Sequence, residues 1–285
     1  MLGGQRGQNQ RHHRPIHAHR RSRPFSSSPL STVSPLSPPA GFKLHNLPTG
    51  PAWIRPPTSA RLIPAWQKLN PKLPLRQAAR RHPEHRLFTG RAPVVLLPIP
   101  STTGFIVRPC VHGGIWGKFS KDLYGNAGRA LQEIDRASLL TSKKIPTPQI
   151  QAALFYPAGG LWRIDIVTTY IPESTNFATF LSTRPSAPAR ARAYAAIRKL
   201  FQICARHQIH HPDMNARNLL LAGSPLRAYL LDVDAIEVEA QSPQSVDTAN
   251  RNRLLRSLLK LARLGSLQWS EKEVSSLWRQ LFPKR

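Results

Sequence analysis

Residues 210–234 place two carboxylates and a carboxamide at a spacing that suits phosphoryl transfer. Asp213 can accept the proton of an attacking hydroxyl group, and Asn218, five residues later, offers an uncharged oxygen to a magnesium ion. A predicted buried strand over residues 228–231 then ends at Asp232, whose carboxylate is a second oxygen ligand. Because Mg²⁺ prefers oxygen ligands and keeps several waters, this pair beside nucleotide phosphates is a sufficient protein contribution. The segment therefore predicts a kinase-like site.

Two further residues of this segment are predicted to play supporting parts. His211 is expected to support the loop by hydrogen bonding and not to transfer a proton itself. Asp234 has three open roles, which are assisting the metal, binding substrate and capping the following turn. The alternative for the whole set is a polar turn whose Asp and Asn side chains only cap backbone groups. The joint spacing favours the phosphoryl-transfer site over that alternative.

An upstream cation and carboxylate extend the predicted site. Arg108 closes a strand-like run over residues 105–107, and Glu133 lies on a helical stretch with periodic apolar positions. Such a pair suits the ion pair that holds nucleotide phosphates in a kinase small lobe. Arginine can grip a phosphate through two parallel hydrogen bonds, although its planar fork differs from the point charge of lysine. The alternative is a surface arginine and a solvated glutamate.

The chemistry-bearing segments resemble a known family. His211, Asp213 and Asn218 match the His-x-Asp-x-x-x-x-Asn catalytic loop of protein-kinase-like enzymes, and Asp232 takes the place of the aspartate in Asp-Phe-Gly. In more detail, HPDMNARNLLL and DVD resemble the HTDLNAHNILL and DFD segments of bacterial 3-deoxy-D-manno-octulosonic acid (Kdo) kinases of the lipopolysaccharide kinase family. The similarity runs from about residue 88 to the end and includes residues 105–124, 132–148, 163–172 and 251–278.

The resemblance implies a two-lobed, protein-kinase-like α+β fold, with a small lobe and hinge over residues 87–172 and a large lobe over residues 173–285. It implies ATP and Mg²⁺ as cofactors, with adenine against residues 168–171. The implied reaction is phosphorylation of a Kdo hydroxyl, the 4-hydroxyl, on Kdo-lipid A or its precursor in lipopolysaccharide inner-core synthesis. Three alternatives stay open: a heptose kinase of the same family, a catalytically weak pseudokinase, and a basic nucleic-acid-binding protein.

Two glycine-containing segments give weaker signals. Gly90 begins a Gly-Arg-Ala run that resembles the Gly-Arg-Gly of the family, and it is a candidate for holding ATP phosphates, but Ala92 replaces the second glycine. Lys118 follows the Gly113-Gly114 pair and is a candidate substrate or phosphate contact. A hairpin turn and a solvated charge are the alternatives for these residues.

The first 86 residues differ in composition from the remainder. They are rich in Pro, Ser, Arg and His, and Glu84 is the first acidic residue of the chain. A segment of this composition buries little apolar surface, so the sequence predicts a disordered basic extension over residues 1–86. At most, short helical pieces are expected over residues 65–69 and 75–81.

The net charge of +27 calls for an anionic partner. A Kdo-bearing lipid A acceptor on the anionic cytoplasmic face of the bacterial inner membrane supplies one, so a cytoplasmic, peripheral location is expected. No nucleic acid and no obligate protein partner are predicted. The apolar stripe of residues 251–264 suits either burial in the large lobe, which is favoured, or a helix lying on a membrane. The two cysteines, Cys110 and Cys204, lie far apart in different predicted lobes and do not suggest a disulfide framework or a zinc site, which fits a reducing compartment.

Overall fold

The computed structural model describes residues 34–88, 93–100, 103–111 and 122–283. Its largest element is a seven-stranded sheet in which every neighbouring pair of strands is antiparallel. The strands are β1 (Lys43–Leu47), β2 (Gly50–Ile54), β3 (Arg86–Phe88), β4 (Val94–Leu97), β5 (Phe105–Pro109), β6 (Ile150–Ala158) and β7 (Leu161–Thr169). Their spatial order is β1-β2-β6-β7-β5-β4-β3.

Five of these strands, β3 to β7, form the small lobe of a protein-kinase-like fold. Helix α3 (Gly128–Ser142) connects β5 to β6 and packs on one face of the sheet. The third of the five strands carries Arg108, and α3 carries Glu133, which is the relation between the phosphate-holding cation and its carboxylate in kinases. These strands and their helix therefore confirm the small-lobe part of the predicted two-lobed α+β fold.

The prediction of disorder up to residue 86 is wrong for residues 43–86, although the short helical pieces expected over residues 65–69 and 75–81 coincide with the end of α1 (Pro56–Leu69) and with α2 (Leu75–Ala79). Strands β1 and β2 extend the sheet beyond β6, and helices α1 and α2 cover the sheet face opposite α3. The sheet therefore begins at Lys43 and not near residue 87. Residues 1–33 lie outside the described part of the chain.

The reason for this error is visible in the packing of α1 and α2. Their few apolar side chains, among them Leu62 and Trp66, are 0% and 3% exposed because strands distant in sequence complete the cluster. Along β6, Leu154 faces this cluster while its neighbour Phe155 faces α3, as the alternation of a strand requires. The prolines also mislead, since Pro56 occupies the first turn of α1, where proline costs the helix no hydrogen bond.

The second lobe is mainly helical and contains two small sheets. Its helices are α4 (Phe177–Ser182), α5 (Ala187–Arg206), α6 (Pro243–Arg263) and α7 (Glu271–Leu281). Its strands are β8 (Thr175–Asn176), β9 (Ile209–His210), β10 (Leu219–Ala222), β11 (Arg227–Leu230) and β12 (Glu237–Val238). The strands pair in the orders β11-β10-β8 and β12-β9.

Helix α6 resolves the two alternatives for the C-terminal apolar stripe. Leu254 and Leu258 are 0% and 2% exposed within the core, so the stripe is a buried helix face and not a membrane-lying surface. In the described part of the chain, no helix is both long enough and apolar enough to span a bilayer.

Candidate active site

The loop between β9 and β10 carries Asp213 and is braced from its first residue. His211 is fully buried, and its Nδ1 accepts a hydrogen bond from the backbone N–H of Asp213 at 3.2 Å. Its Nε2 lies 3.1 Å from the carbonyl oxygen of Leu231 and donates to it, since a carbonyl can only accept. Burial lowers the pKa of the His211 ring. The imidazole is therefore neutral near pH 7, and it joins the loop to the residue before Asp232.

Asn218 closes the same loop from its other end. Its side-chain Nδ2 donates to the carbonyl oxygen of Asp213 at 2.9 Å and lies 3.5 Å from the carboxylate Oδ2 of that residue. The backbone N–H of Leu231 donates to the carbonyl oxygen of Asn218 at 2.9 Å. Since Leu231 directly precedes Asp232, these bonds hold Asp213, Asn218 and Asp232 at one end of the β10–β11 hairpin.

The donor set at this end of the hairpin fits magnesium. The Nδ2 group of Asn218 is used within the loop, so its amide oxygen is the atom that can meet a cation. Asp232 is exposed, and it directly follows Leu231, whose backbone N–H donates to the carbonyl oxygen of Asn218. One amide oxygen and one carboxylate, completed by water and phosphate oxygens, are ligands that Mg²⁺ accepts.

Asp232 has an unusual backbone. Its φ of 54° and ψ of 53° place it in the left-handed region, where residues other than glycine are uncommon. It is followed directly by the 3-10 helix Val233–Ala235, which contains Asp234. Asp234 forms an ion pair with Arg129 near the start of α3. The sequence left three roles open for Asp234, namely the metal, the substrate and a turn cap. The structure shows a different contact, an ion pair with α3.

The predicted ion pair in the small lobe, between Arg108 and Glu133, is present in the structure. Arg108 of β5 forms an ion pair with Glu133 of α3, and Glu133 is only 1% exposed while the arginine side chain is 26% exposed. The partly exposed guanidinium can reach a phosphate while its carboxylate partner stays buried. On the same sheet face, burial raises the pKa of the Cys110 thiol to about 11, so this cysteine is protonated and unreactive at neutral pH.

Helix α6 supplies supporting residues that the sequence reading missed. The side chain of Asn250, which is fully buried, accepts from the backbone N–H of His211 at 2.9 Å and donates to the carbonyl oxygen of Ile209 at 3.0 Å. Arg253 donates to the carbonyl oxygen of Pro212, and the hydroxyl of Ser257 accepts from the loop. The available signal was the position of Asn250, which lies one turn before Leu254 in the buried stripe.

Two of the predicted site residues, Gly90 and Lys118, lie outside the described residues. Near the predicted adenine segment, a cavity of about 590 Å³ is lined in part by Tyr170, Pro172 and Leu96 of β4. The cavity therefore adjoins the connection that follows β7. Of the predicted adenine segment, Tyr170 is the residue that contributes to its lining.

A second group of titratable side chains lies on the β9–β12 ribbon. The Nδ1 atom of His210 is 3.3 Å from Glu237 and 3.2 Å from Glu239. Burial lowers the pKa of Arg136 in α3, and the charge of Glu237 opposes this shift. These side chains are close to one another because β9 and β12 pair, with Glu237 directly opposite His210.

Curated proteins similar to this chain include Kdo kinases, and one similar solved structure is that of WaaP. A 3-deoxy-D-manno-octulosonic acid kinase of Mannheimia succiniciproducens is 28% identical over 179 residues, covering 60% of this chain and 72% of that protein. The enzyme of the same name from Vibrio cholerae is 26% identical over 187 residues, covering 64% and 76%. Among solved structures, WaaP in complex with acyl carrier protein aligns at a TM-score of 0.45 and 15% identity, covering 82% of this chain and 89% of that chain.

The sequence profile described as "Lipopolysaccharide kinase (Kdo/WaaP) family" matches residues 105–280. This span contains β5, α3 and the whole second lobe up to the last turn of α7, and thus Arg108, Glu133, Asp213, Asn218 and Asp232. Since it covers more than half of the chain, and the similar curated proteins are Kdo kinases, the protein is a carbohydrate kinase that belongs to the lipopolysaccharide kinase (Kdo/WaaP) family.

Proposed function

We propose that this kinase transfers the terminal phosphate of ATP to the 4-hydroxyl of a Kdo residue on Kdo-lipid A or its precursor, during synthesis of the lipopolysaccharide inner core. The observation that carries the proposal is the convergence of Asp213, Asn218 and Asp232 at one end of a hairpin, braced by His211. The acceptor sugar is proposed from the similar proteins named as Kdo kinases.

Each residue has a defined part in the proposed mechanism. Asp213 orients the sugar hydroxyl and accepts its proton as the oxygen attacks the terminal phosphorus in line. Arg108, held by Glu133, binds and orients the ATP phosphates, with adenine against residues 168–171. Asn218 and Asp232 would hold Mg²⁺, which when bound offsets the negative charge of the phosphates. His211 keeps the loop in place and stays neutral.

The test is transfer of labelled terminal phosphate from magnesium ATP to a purified Kdo-bearing lipid A precursor. Heptose-bearing core and RNA serve as parallel samples. Labelling of the Kdo acceptor, lost when Mg²⁺ is removed and located at the 4-hydroxyl by NMR of the product, is the expected result. Labelling of the heptose acceptor alone would reassign the substrate, and no labelling of any acceptor by folded protein would support a pseudokinase.

The α1–α2 layer supports a peripheral location on the anionic cytoplasmic face of the inner membrane. Residues 34–83 contain no acidic side chain. Five exposed cations between residues 56 and 83 form no ion pair with the described residues, and they are Arg61, Lys68, Lys72, Arg80 and Arg81. Each cation near an anionic surface contributes on the order of 1 kcal/mol to binding.

Neutralising Lys68 and Lys72 together to glutamine is expected to weaken binding to phosphatidylglycerol vesicles by about 30-fold, from about 1 kcal/mol per cation. The matched control neutralises Arg256 and Lys260, which are exposed on α6 and change the net charge equally. Vesicle co-sedimentation at fixed ionic strength measures both variants. Equal losses would indicate a response to net charge alone, and a greater loss in the control would place the membrane-facing surface on α6.

A further inference from the structure

Helix α3 carries two side chains that leave it toward different parts of the site. Arg129 and Glu133 are four residues apart, so they lie on the same side of the helix. Glu133 pairs with Arg108 of β5, and Arg129 pairs with Asp234 of the 3-10 helix that follows Asp232. One helix therefore contacts both the phosphate-holding cation and the segment that carries a proposed magnesium ligand.

The charge of Arg129 does not stabilise helix α3. It is the second residue of α3, where the partial positive charge of a helix N-terminus disfavours a cation. The residue before α3, Ala127, provides no side-chain cap. The Arg129 side chain is 29% exposed and that of Asp234 is 15% exposed, so the ion pair is partly shielded from water. The favourable partner of Arg129 is thus on the other element.

Asp232 needs support from its surroundings. A residue other than glycine in the left-handed region costs on the order of 1–3 kcal/mol and persists only where neighbouring contacts hold it. Before Asp232, Leu231 is fixed through both its N–H, to Asn218, and its carbonyl oxygen, from His211. After Asp232, the segment is held by the buried side chain of Val233 and by the ion pair of Asp234 with Arg129. The strained residue is thus held from both sides.

We propose that Arg129 and Asp234 are positioning residues that couple α3 to Asp232, so that the Arg108–Glu133 pair and the Mg²⁺ ligand assemble together. This inference rests on the proposed magnesium ATP site. When the ion pair is broken, the 3-10 helix keeps its buried Val233 but loses its polar contact with α3, and Asp232 spends less time in its metal-binding conformation. Nucleotide binding then requires a higher Mg²⁺ concentration and kcat is lower, while the protein stays folded.

The test measures binding of a fluorescent ATP analogue as a function of Mg²⁺ concentration, with kcat and thermal melting in parallel. Arg129→Gln and Asp234→Asn are each expected to raise the half-saturating Mg²⁺ concentration about tenfold, equivalent to about 1.4 kcal/mol. The double variant is expected to be no worse than either single variant, because both remove the same contact. The charge-exchanged variant, Arg129→Asp with Asp234→Arg, is expected to recover part of the loss.

The matched control is Asp247→Asn, which breaks an ion pair of similar burial within α6, that of Asp247 with Arg251. This control should leave the half-saturating Mg²⁺ concentration unchanged even if it lowers the melting temperature. Unchanged Mg²⁺ dependence in both single variants, or fully additive losses in the double variant, would overturn the proposal. Because binding is measured without an acceptor, a failure of the Kdo assignment leaves this result interpretable. Wild-type protein that binds the analogue without any Mg²⁺ dependence would overturn the magnesium site and the coupling together.

Discussion

Replacing Asp213 with alanine is expected to lower kcat for phosphoryl transfer by about 10²–10⁴-fold, the usual contribution of a general base. The binding of magnesium ATP should change little, because the proposed nucleotide contacts are made by Arg108 and by the Asn218–Asp232 pair. The loop should also keep its shape, since the backbone N–H and carbonyl oxygen of residue 213 make the bonds to His211 and Asn218. Steady-state transfer of labelled phosphate and titration with an ATP analogue measure the two quantities.

The isosteric Asp213→Asn variant separates the loss of the base from the loss of side-chain volume. Glu271→Gln is the matched control because it removes an exposed carboxylate that pairs with Arg263 in the second lobe. The control should retain full turnover. Near-normal turnover in both Asp213 variants would remove Asp213 from the role of base and with it the proposed mechanism.

Replacing Trp66 with alanine is expected to destabilise the protein by about 3–5 kcal/mol and to lower Tm by roughly 6–20 °C. Trp66 is 3% exposed in the cluster between α1 and the sheet, and its indole N–H donates to the carbonyl oxygen of Leu73 at 3.0 Å. The substitution removes this bond and leaves a large cavity beneath α1. Thermal melting and chemical denaturation of the full chain measure the change.

Arg61→Ala is the control on the same helix, since Arg61 is exposed and its loss should change stability by less than about 0.5 kcal/mol. This pair of variants tests whether the N-terminal layer is part of the fold. A Tm for Trp66→Ala equal to that of the unmodified protein would return residues 43–86 to the disordered extension that their composition suggests.

A buried carboxylate shows how firmly this layer belongs to the sheet. Asp165 of β7 is 2% exposed, and the Nε of Arg76 in α2 donates to it at 3.2 Å. The backbone N–H of Leu75 donates to the hydroxyl of Tyr156 in β6 at 3.0 Å. Burial raises the pKa of Asp165 despite the opposing effect of Arg76. A short helix from the basic N-terminal stretch thus partners polar groups of the central strands.

The residues proposed for catalysis could be predicted from the sequence because they are close to one another along the chain. Asp213 and Asn218 belong to one loop, and Asp232 follows the next hairpin, so short-range geometry brings them together. Residue type then limits their chemistry, since carboxylate and amide oxygens suit a base and a hard cation. Arg108 and Glu133 needed the additional assumption of a strand followed by a packed helix, and the fold contains both elements.

The amino-acid sequence by itself thus determined the catalytic loop, the strand and helix of the phosphate-holding pair, and the family. The contacts between residues that are distant in sequence were decided only by the tertiary structure. Asn250 reaches His211 across 39 residues of chain, Arg129 finds Asp234 far along the sequence, and α1 and α2 fold because distant strands present an uncovered apolar face. In each case the stabilising free energy comes from burial or pairing with a partner that is distant in sequence. No local pattern of residues 34–86 records that partner, so only the assembled sheet makes their order apparent.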